Sequence, residues 1–225
     1  MRLNVIVEGR TEEAFINTVL GPYLGTFGIE VKAIVVTTKV DTRLEKTFRG
    51  GLINYQKLRN SVINSIKREA KNTVCFTSMV DLYALPKDFP GLDSAKKMSD
   101  PYARIEALET AFAKDIDDWR FIPYIQLHEF EALVLAGLEY LPELYDVDKE
   151  QLGALAREVQ KKGPELVNNG IQSAPSKRLM ACIPDYNKLA TGLLVTEAVT
   201  IPGLMAACPH FGQWVTQLQS YGGQV

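Results

Sequence analysis

Residues 1–13 read MRLNVIVEGRTEE, and this stretch predicts how the rest of the chain is arranged. The apolar, β-branched run over residues 3–7 is typical of a buried strand. Glu8 and Gly9 follow it, and residues 11–13 favour the first turn of a helix, with a hydroxyl for capping and two acidic residues. The stretch therefore predicts a carboxylate just past the carboxyl end of a buried strand, which is where open α/β sheets bind ligands.

Composition and charge set the broad class of protein. The chain has 225 residues and 25.1 kDa, with 46% hydrophobic and 23% charged residues, which is ordinary for a globular protein with its own core. The net charge of −2 means that any contact with nucleic acid needs a local basic patch. Cys75, Cys182 and Cys208 lie far apart, which argues against structural zinc and favours a reducing compartment. No signal-peptide pattern is present, and no apolar run approaches the length of a membrane span, so we expect a cytoplasmic protein without membrane contact.

Strands alternate with helices over the first part of the chain. After the first strand, strands are predicted at Ile29–Val36, Thr73–Val80 and Phe121–Leu127, and helices at Thr11–Leu20, Tyr55–Ala70 and Pro101–Ile116. Thr37–Gly51 is predicted to be a mobile loop, and Leu82–Asp100 a long loop rich in proline, glycine and aspartate. This alternation predicts an α/β fold with a four-stranded parallel sheet flanked by helices.

The chain beyond Leu138 shows no further clear strand. Helices are predicted there at Leu152–Lys161, Ser176–Ile183, Gly192–Leu204 (two short helices split by Pro202) and His210–Tyr221. We therefore predict an α/β domain over residues 1–137 and a helical region over residues 138–225 packed on it.

Carboxylates follow three of the four predicted strands: Glu8, Asp81, Glu129 and Glu131. Parallel strands bring these ends to one edge of the sheet, where the carboxylates would repel one another unless a cation holds them. Hard oxygen ligands of this kind suit Mg²⁺ or Mn²⁺. The alternative for each residue is a solvated side chain that closes a strand, and alternation along a strand can also send neighbours to opposite faces.

Several motifs together resemble one protein family. They are V-E-G-R-T-E-E after the first strand, D-L-Y-A-L-P-K-D-F-P-G from Asp81, H-E-F-E-A-L-V from His128, A-P-S-K-R-L from Ala174 and C-P-H-F-G-Q-W from Cys208. In combination they resemble the bacterial DUF4276 family of the Toprim superfamily, whose relatives include topoisomerases, primases, OLD nucleases and small ribonucleases. The resemblance spans nearly the whole chain and implies a Toprim-like fold.

The resemblance also implies roles for individual residues. Glu8 would be a metal ligand or general acid/base, and Asp81 would bind Mg²⁺. The superfamily usually has the motif D-x-D after this strand. In this chain Asp81 is the first aspartate of the motif, and Tyr83 stands in place of the second. Further ligands would then come from Asp88, Asp93, Glu129 or Glu131. The substitution also leaves open a protein that no longer catalyses a reaction.

Four further residues are candidates around these carboxylates. His128 is either a general acid/base near a scissile phosphate or a hydrogen-bonded residue that orients a neighbouring carboxylate. Arg10 follows Glu8 closely, and Lys177 and Arg178 follow Ser176 at a predicted helix start, where side chains and backbone N–H groups can bind phosphate. The alternative for each cation is a solvated surface charge.

Two functions follow from these residues and the resemblance. The first is a Mg²⁺- or Mn²⁺-dependent nuclease, or a related phosphotransfer enzyme, acting on DNA or RNA. The resemblance further implies a partner ATPase and a role in defence against phage or foreign DNA. The second is a non-catalytic module that keeps the fold and serves as an interaction subunit of an ATPase complex. A nucleotide-binding protein of another kind is less favoured, because no strand is followed by G-x-G-x-x-G or a P-loop.

Overall fold

A parallel sheet forms the centre of the protein. The computed structural model describes residues 1–41, 46–49, 54–69, 74–168, 170 and 173–222. Its strands are β1 (Arg2–Val7), β2 (Glu30–Val35), β3 (Thr37–Asp41), β4 (Lys46–Arg49), β5 (Val74–Asp81), β6 (Phe121–Ile122) and β7 (Ile125–Gln126). The sheet has the order β2-β1-β5-β6, β7 also pairs with β5, and every pairing is parallel. Pro123 separates β6 from β7, so the two form one interrupted strand, and the predicted four-stranded parallel α/β fold is confirmed.

Helices flank this sheet and make up most of the second half of the chain. They are α1 (Arg10–Phe15), which continues through a π-helical segment (Ile16–Leu20) into α2 (Gly21–Gly25), then α3 (Tyr55–Arg68), α4 (Leu92–Ala95), α5 (Pro101–Ile116), α6 (Glu131–Val134), α7 (Leu141–Leu144), α8 (Lys149–Lys162), α9 (Pro175–Cys182), α10 (Lys188–Ala207) and α11 (Pro209–Gly222). Short 3₁₀ turns cover Leu82–Ala84, Leu135–Tyr140 and Pro164–Leu166. The predicted helical C-terminal part is therefore present.

Each face of the sheet has its own apolar core. Side chains alternate along β1, so Val5 and Val7 pack on one face and Ile6 on the other. The Val5 face is covered by α1 and the C-terminal helices, while the Ile6 face is covered by α3 and α5. The C-terminal helices thus share a core with the strands.

Buried hydrogen bonds hold α11 against strand β5 and against the Pro164–Leu166 turn. The Trp214 indole N–H donates to Thr77 Oγ1 of β5 at 2.9 Å, and its ring stacks on Tyr124 with centroids 4.1 Å apart. The Glu165 carboxylate accepts the backbone N–H groups of residues 210 and 211 at 3.0 Å each. Glu165 is fully buried, so it satisfies donors at the start of α11 that water cannot reach.

The structure corrects part of the predicted loop over Thr37–Gly51, of which residues 42–45, 50 and 51 lie outside the described residues. Strands β3 and β4 pair there as an antiparallel ribbon. The prediction was wrong because the segment is polar and lacks the alternating apolar residues that identify a strand with one buried face. Ala70 and Thr73, predicted to end a helix and to begin a strand, lie outside the described residues.

Helix α10 also differs from its prediction. It runs as one element over 20 residues, with a break at Thr200, where φ is 68°. By length and composition alone it is long and apolar enough to cross a membrane, so the expectation that no apolar run approaches that length was wrong. Its residues Gly192, Val195 and Leu204 are buried in the protein.

Candidate functional site

Glu8 and Asp81 lie at the ends of the two central strands. Val7 is paired with Met79 in the parallel register of β1 and β5, so Asp81 stands two residues beyond this pair. Residues two apart on a strand share a face, and Met79 belongs to the core covered by the C-terminal helices. The Asp81 side chain therefore lies on the face of the sheet that α1 and the C-terminal helices cover.

A small pocket brings several of the predicted residues together. It has a volume of about 190 Å³ and is lined by Glu8, Gly9, Arg10, Thr11, Glu12, Asp81, Phe130, Glu131 and Lys188. Four of the lining side chains are carboxylates and two are cations. Three of the four predicted metal ligands and one of the three predicted phosphate-binding residues line it. Glu12 and Lys188 were not predicted.

Asp81 is the electrostatic centre of this pocket. Its Oδ1 is shielded from solvent and has no hydrogen-bond partner among the described residues. Burial raises the pKa of Asp81 well above its usual range, and the negative charges of Glu12, Glu8, Glu131 and Glu129 raise it further. Four carboxylates from two separate segments, residues 8–12 and 129–131, therefore act on one acid, as expected where the ends of parallel strands meet at one edge of the sheet.

Glu12 reaches the pocket because helix α1 starts almost directly after β1, with only Glu8 and the extended Gly9 between them. Helix α1 begins one residue later, and the Gly9 N–H donates to Glu12 Oε2 at 2.9 Å, which is half of a capping box. Burial raises the pKa of Glu12, against hydrogen bonds from the backbone and the charge of Lys188. Its position four residues after Glu8 was the only sequence signal for a role in the pocket. Sequence reasoning missed it because an acidic residue in the first turn of a helix is common without any such role.

Lys188 supplies a positive charge to the carboxylate cluster, by which we mean Glu8, Glu12, Asp81, Glu129 and Glu131. Its Nζ lies 2.9 Å from Glu131 Oε1, and the two side chains are 52% and 3% exposed, respectively. Burial lowers the pKa of Lys188, but the charges of Glu131, Glu129 and Asp81 outweigh it, so the pKa is raised. Burial likewise raises the pKa of Glu131, although Lys188 opposes this. No local motif surrounds Lys188, which is why sequence reasoning missed it.

Glu129 serves the start of α9. Its Oε1 accepts the Ser176 N–H at 2.5 Å, so the first turn of this helix has a carboxylate acceptor from within the protein. Arg178 forms an ion pair with Glu158 of α8. Among the described residues that line the pocket, neither Lys177 nor Arg178 is present. The start of α9, which was predicted to bind phosphate, therefore contacts the carboxylate of Glu129.

His128 stands beside the pocket rather than in its lining. It adopts φ 62°, and its Nδ1 lies 3.1 Å from the Asn168 amide nitrogen. Tyr83 packs near it with ring centroids 5.4 Å apart and donates its N–H to the His128 carbonyl at 3.0 Å. Burial lowers the pKa of His128 to about 4, against a hydrogen bond at the Glu165 backbone and the charge of Glu129. His128 is thus hydrogen-bonded within the protein, to an amide side chain and to the Glu165 backbone, and neither of these partners is a carboxylate side chain.

The two aspartates of the long loop lie elsewhere. Asp88 accepts the Tyr55 N–H at 3.1 Å, next to the start of α3. Asp93 is exposed and pairs with Lys96 at 3.6 Å. Neither lines the carboxylate pocket, so the structure does not bring them to Asp81.

The donor chemistry of the pocket fits a hard divalent cation. Mg²⁺ is commonly held by one or two carboxylates, with water and substrate oxygens completing its shell. Asp81 Oδ1 is a shielded carboxylate oxygen without a protein partner in the described part of the chain. Among the described residues, no group of three or more His, Cys, Asp or Glu side chains is close enough together to coordinate one metal ion. The pocket therefore fits an ion with few protein ligands better than a closed protein cage.

Comparisons with known proteins give one family and one set of structural similarities. Residues 7–219 match the profile of the family described as domain of unknown function DUF4276. No curated protein matches the chain. The C-terminal region of the Xanthomonas campestris pv. campestris OLD protein is similar in its iodine-phased structure, with 14% identity over 96% of each chain and a TM-score of 0.39. Its platinum-phased structure has 15% identity over 97% of this chain and 96% of that chain, with a TM-score of 0.40.

Proposed function

Because the chain belongs to the DUF4276 family, whose description names no activity, we propose a function from the pocket itself. The protein is a Mg²⁺- or Mn²⁺-dependent enzyme that cleaves phosphodiester bonds in DNA or RNA. The observation that carries this proposal is the shielded Asp81 Oδ1, which has no hydrogen-bond partner among the described residues and lies among the charges of Glu8, Glu12 and Glu131.

The electrostatics of the pocket support a cation. Several carboxylates held together in a partly buried space raise one another's pKa, and a divalent ion would reverse that cost by favouring the charged forms. Strongly perturbed pKa values cluster at functional sites, so the raised pKa of the buried Asp81 at the end of β5 supports a binding or catalytic pocket. Lys188 and Arg10 provide two positive charges for four lining carboxylates, so the lining keeps a negative excess.

Each residue then has a defined part in the reaction. Asp81 and Glu8 would hold the ion, which when bound activates water and stabilises charge on the phosphate oxygens. Arg10 is exposed at the pocket rim and would bind a non-bridging phosphate oxygen. Glu12 and Glu131 set the negative potential, and His128 orients the segment that carries Glu129. The motif resemblance to Toprim nucleases supports the choice of phosphodiester cleavage, and action beside a partner ATPase in defence against phage or foreign DNA.

The first experiment combines ion binding with cleavage. Purified protein is titrated with Mn²⁺ by calorimetry and incubated with supercoiled plasmid, linear duplex, single-stranded DNA and RNA. We expect binding at millimolar affinity or tighter that disappears in Asp81→Asn, and cleavage that disappears in Glu8→Gln while the melting temperature changes little. Glu13→Gln and Asp93→Asn are matched controls, because neither residue lines the pocket. Cleavage that survives in Glu8→Gln, or needs no divalent ion, would contradict the proposal.

The second candidate function is a non-catalytic interaction module of an ATPase complex. The observation that favours it is the Lys188–Glu131 ion pair, which already places a protein cation among the carboxylates. Tyr83, packed against His128 in place of a second acidic ligand, is consistent with it. If this second function is correct, calorimetric titration with Mn²⁺ should give no binding heat in the wild type or in Asp81→Asn. This result would distinguish the module from the enzyme.

A further inference from the structure

The oxygens of the carboxylate cluster differ in whether a donor of the protein already occupies them, and so in how available they are to an ion. Gly9 N–H occupies Glu12 Oε2 at 2.9 Å, Ser176 N–H occupies Glu129 Oε1 at 2.5 Å, and Lys188 occupies Glu131 Oε1 at 2.9 Å. Asp81 Oδ1 has no such partner in the part of the chain that the structure describes. Three of the carboxylates are thus partly committed to donors of the protein itself.

These donors differ in how firmly they are fixed. Gly9 and Ser176 donate from the backbone at helix starts, so their hydrogen bonds belong to the fold. Lys188 donates from a flexible side chain, and its Nζ is the only one of the three that carries a full charge. Removing that charge is therefore a selective way to release a carboxylate, because α10 itself is capped independently by Asn187, which accepts the Ala190 N–H at 3.0 Å.

We propose that Lys188 limits the pocket to a single divalent ion, with its ammonium group on Glu131 taking the position of a second ion. This inference rests on the proposed function, since it concerns the same pocket. The pocket volume of about 190 Å³ equals roughly six waters at about 30 Å³ each, which suits one ion with its coordination shell. Lys188 then supplies a permanent positive charge beside that ion, and because half of its side chain is exposed, it could also contact a phosphate that binds there.

Stoichiometry tests the inference directly. Mn²⁺ titration by calorimetry is expected to give one ion per chain in the wild type and two in Lys188→Met. The second ion should disappear again in the double variant Lys188→Met with Glu131→Gln. Electron paramagnetic resonance of the loaded proteins should show an isolated Mn²⁺ in the wild type and a spin-coupled pair in Lys188→Met. Lys188→Arg keeps the charge and should keep one ion.

Lys149→Met is the matched control. Lys149 is also the first residue of a side-chain-capped helix and is exposed, but it does not line the pocket, so this variant should bind one ion. Two ions in the wild type, or one ion in a folded Lys188→Met, would overturn this inference and leave the proposed function standing. A wild type that binds no Mn²⁺ would overturn the proposed function and this inference with it.

Discussion

Replacement of Asp81 by asparagine should stabilise the protein at neutral pH when no divalent ion is present. The neutral side chain has nearly the same shape, and it removes one charge from a cluster whose other members raise the pKa of Asp81. Two like charges about 6 Å apart interact by roughly 3 kcal/mol at an effective dielectric constant of about 20. Salt, Lys188 and the unmet hydrogen bonds of the amide offset part of this, so we expect a net gain of about 1–2 kcal/mol.

The gain should depend on pH with a definite sign. The folded protein raises the pKa of Asp81, so it binds this proton more tightly than the unfolded chain does. The stability that this proton contributes is complete below the unfolded pKa of about 3.9 and is lost as pH rises through the folded pKa. The advantage of Asp81→Asn is therefore present at neutral pH and shrinks as pH falls.

Thermal unfolding with a chelator measures this effect. For a chain of this length, 1 kcal/mol corresponds to about 2–4 °C, so the melting temperature of Asp81→Asn should rise by roughly 2–8 °C at neutral pH. Saturating Mn²⁺ should reverse the order, because an ion at about 100 times its Kd adds roughly 2.7 kcal/mol to the wild type alone. Asp93→Asn should change neither value. A lower melting temperature for Asp81→Asn in chelator, or a gain that grows as pH falls, would refute the electrostatic reasoning.

Three further predictions concern the fold. Trp214→Phe should destabilise the protein by about 1–3 kcal/mol in urea unfolding, because it leaves Thr77 Oγ1 buried without its indole donor; an unchanged midpoint would contradict this. Glu165→Gln should cost about 2–3 kcal/mol in the same assay, since the amide keeps only one acceptor oxygen for the donors at the start of α11, and a gain in stability would count against that capping role. Asp117→Gly should raise the free energy of unfolding by about 1 kcal/mol, because Asp117 ends α5 at φ 53° on the exposed surface; a loss would show that its side chain matters more than its backbone.

The sequence predicted the sheet because its two central strands, β1 and β5, are mainly apolar and are closed by Glu8 and Asp81. The same regularity identified Glu8, Asp81 and Glu131, since the carboxyl ends of parallel strands share an edge. It could not show which carboxylates the fold uses for its own donors. Glu129 precedes a helix in sequence, yet its partner is the N–H of Ser176 at a different helix.

Contacts between distant segments account for the rest of what sequence reasoning missed. Lys188 opens an apolar helix and looks like an ordinary surface lysine until α10 is packed over the end of β5. Arg178 resembles a phosphate ligand beside a helix start, but Glu158 of the neighbouring helix pairs with it. The β3–β4 ribbon was missed for a different reason, because its polar residues give no periodic signal.

The interruption at Pro123 bears on how this protein can associate with others. An outer strand with an unbroken row of free N–H and C=O groups invites another chain to pair with it, and proline removes one donor from that row. At the opposite side of the sheet, β2 carries the exposed charges of Glu30 and Lys32, which discourage the same kind of addition. Addition of a strand from another chain is thus disfavoured at both borders of this sheet.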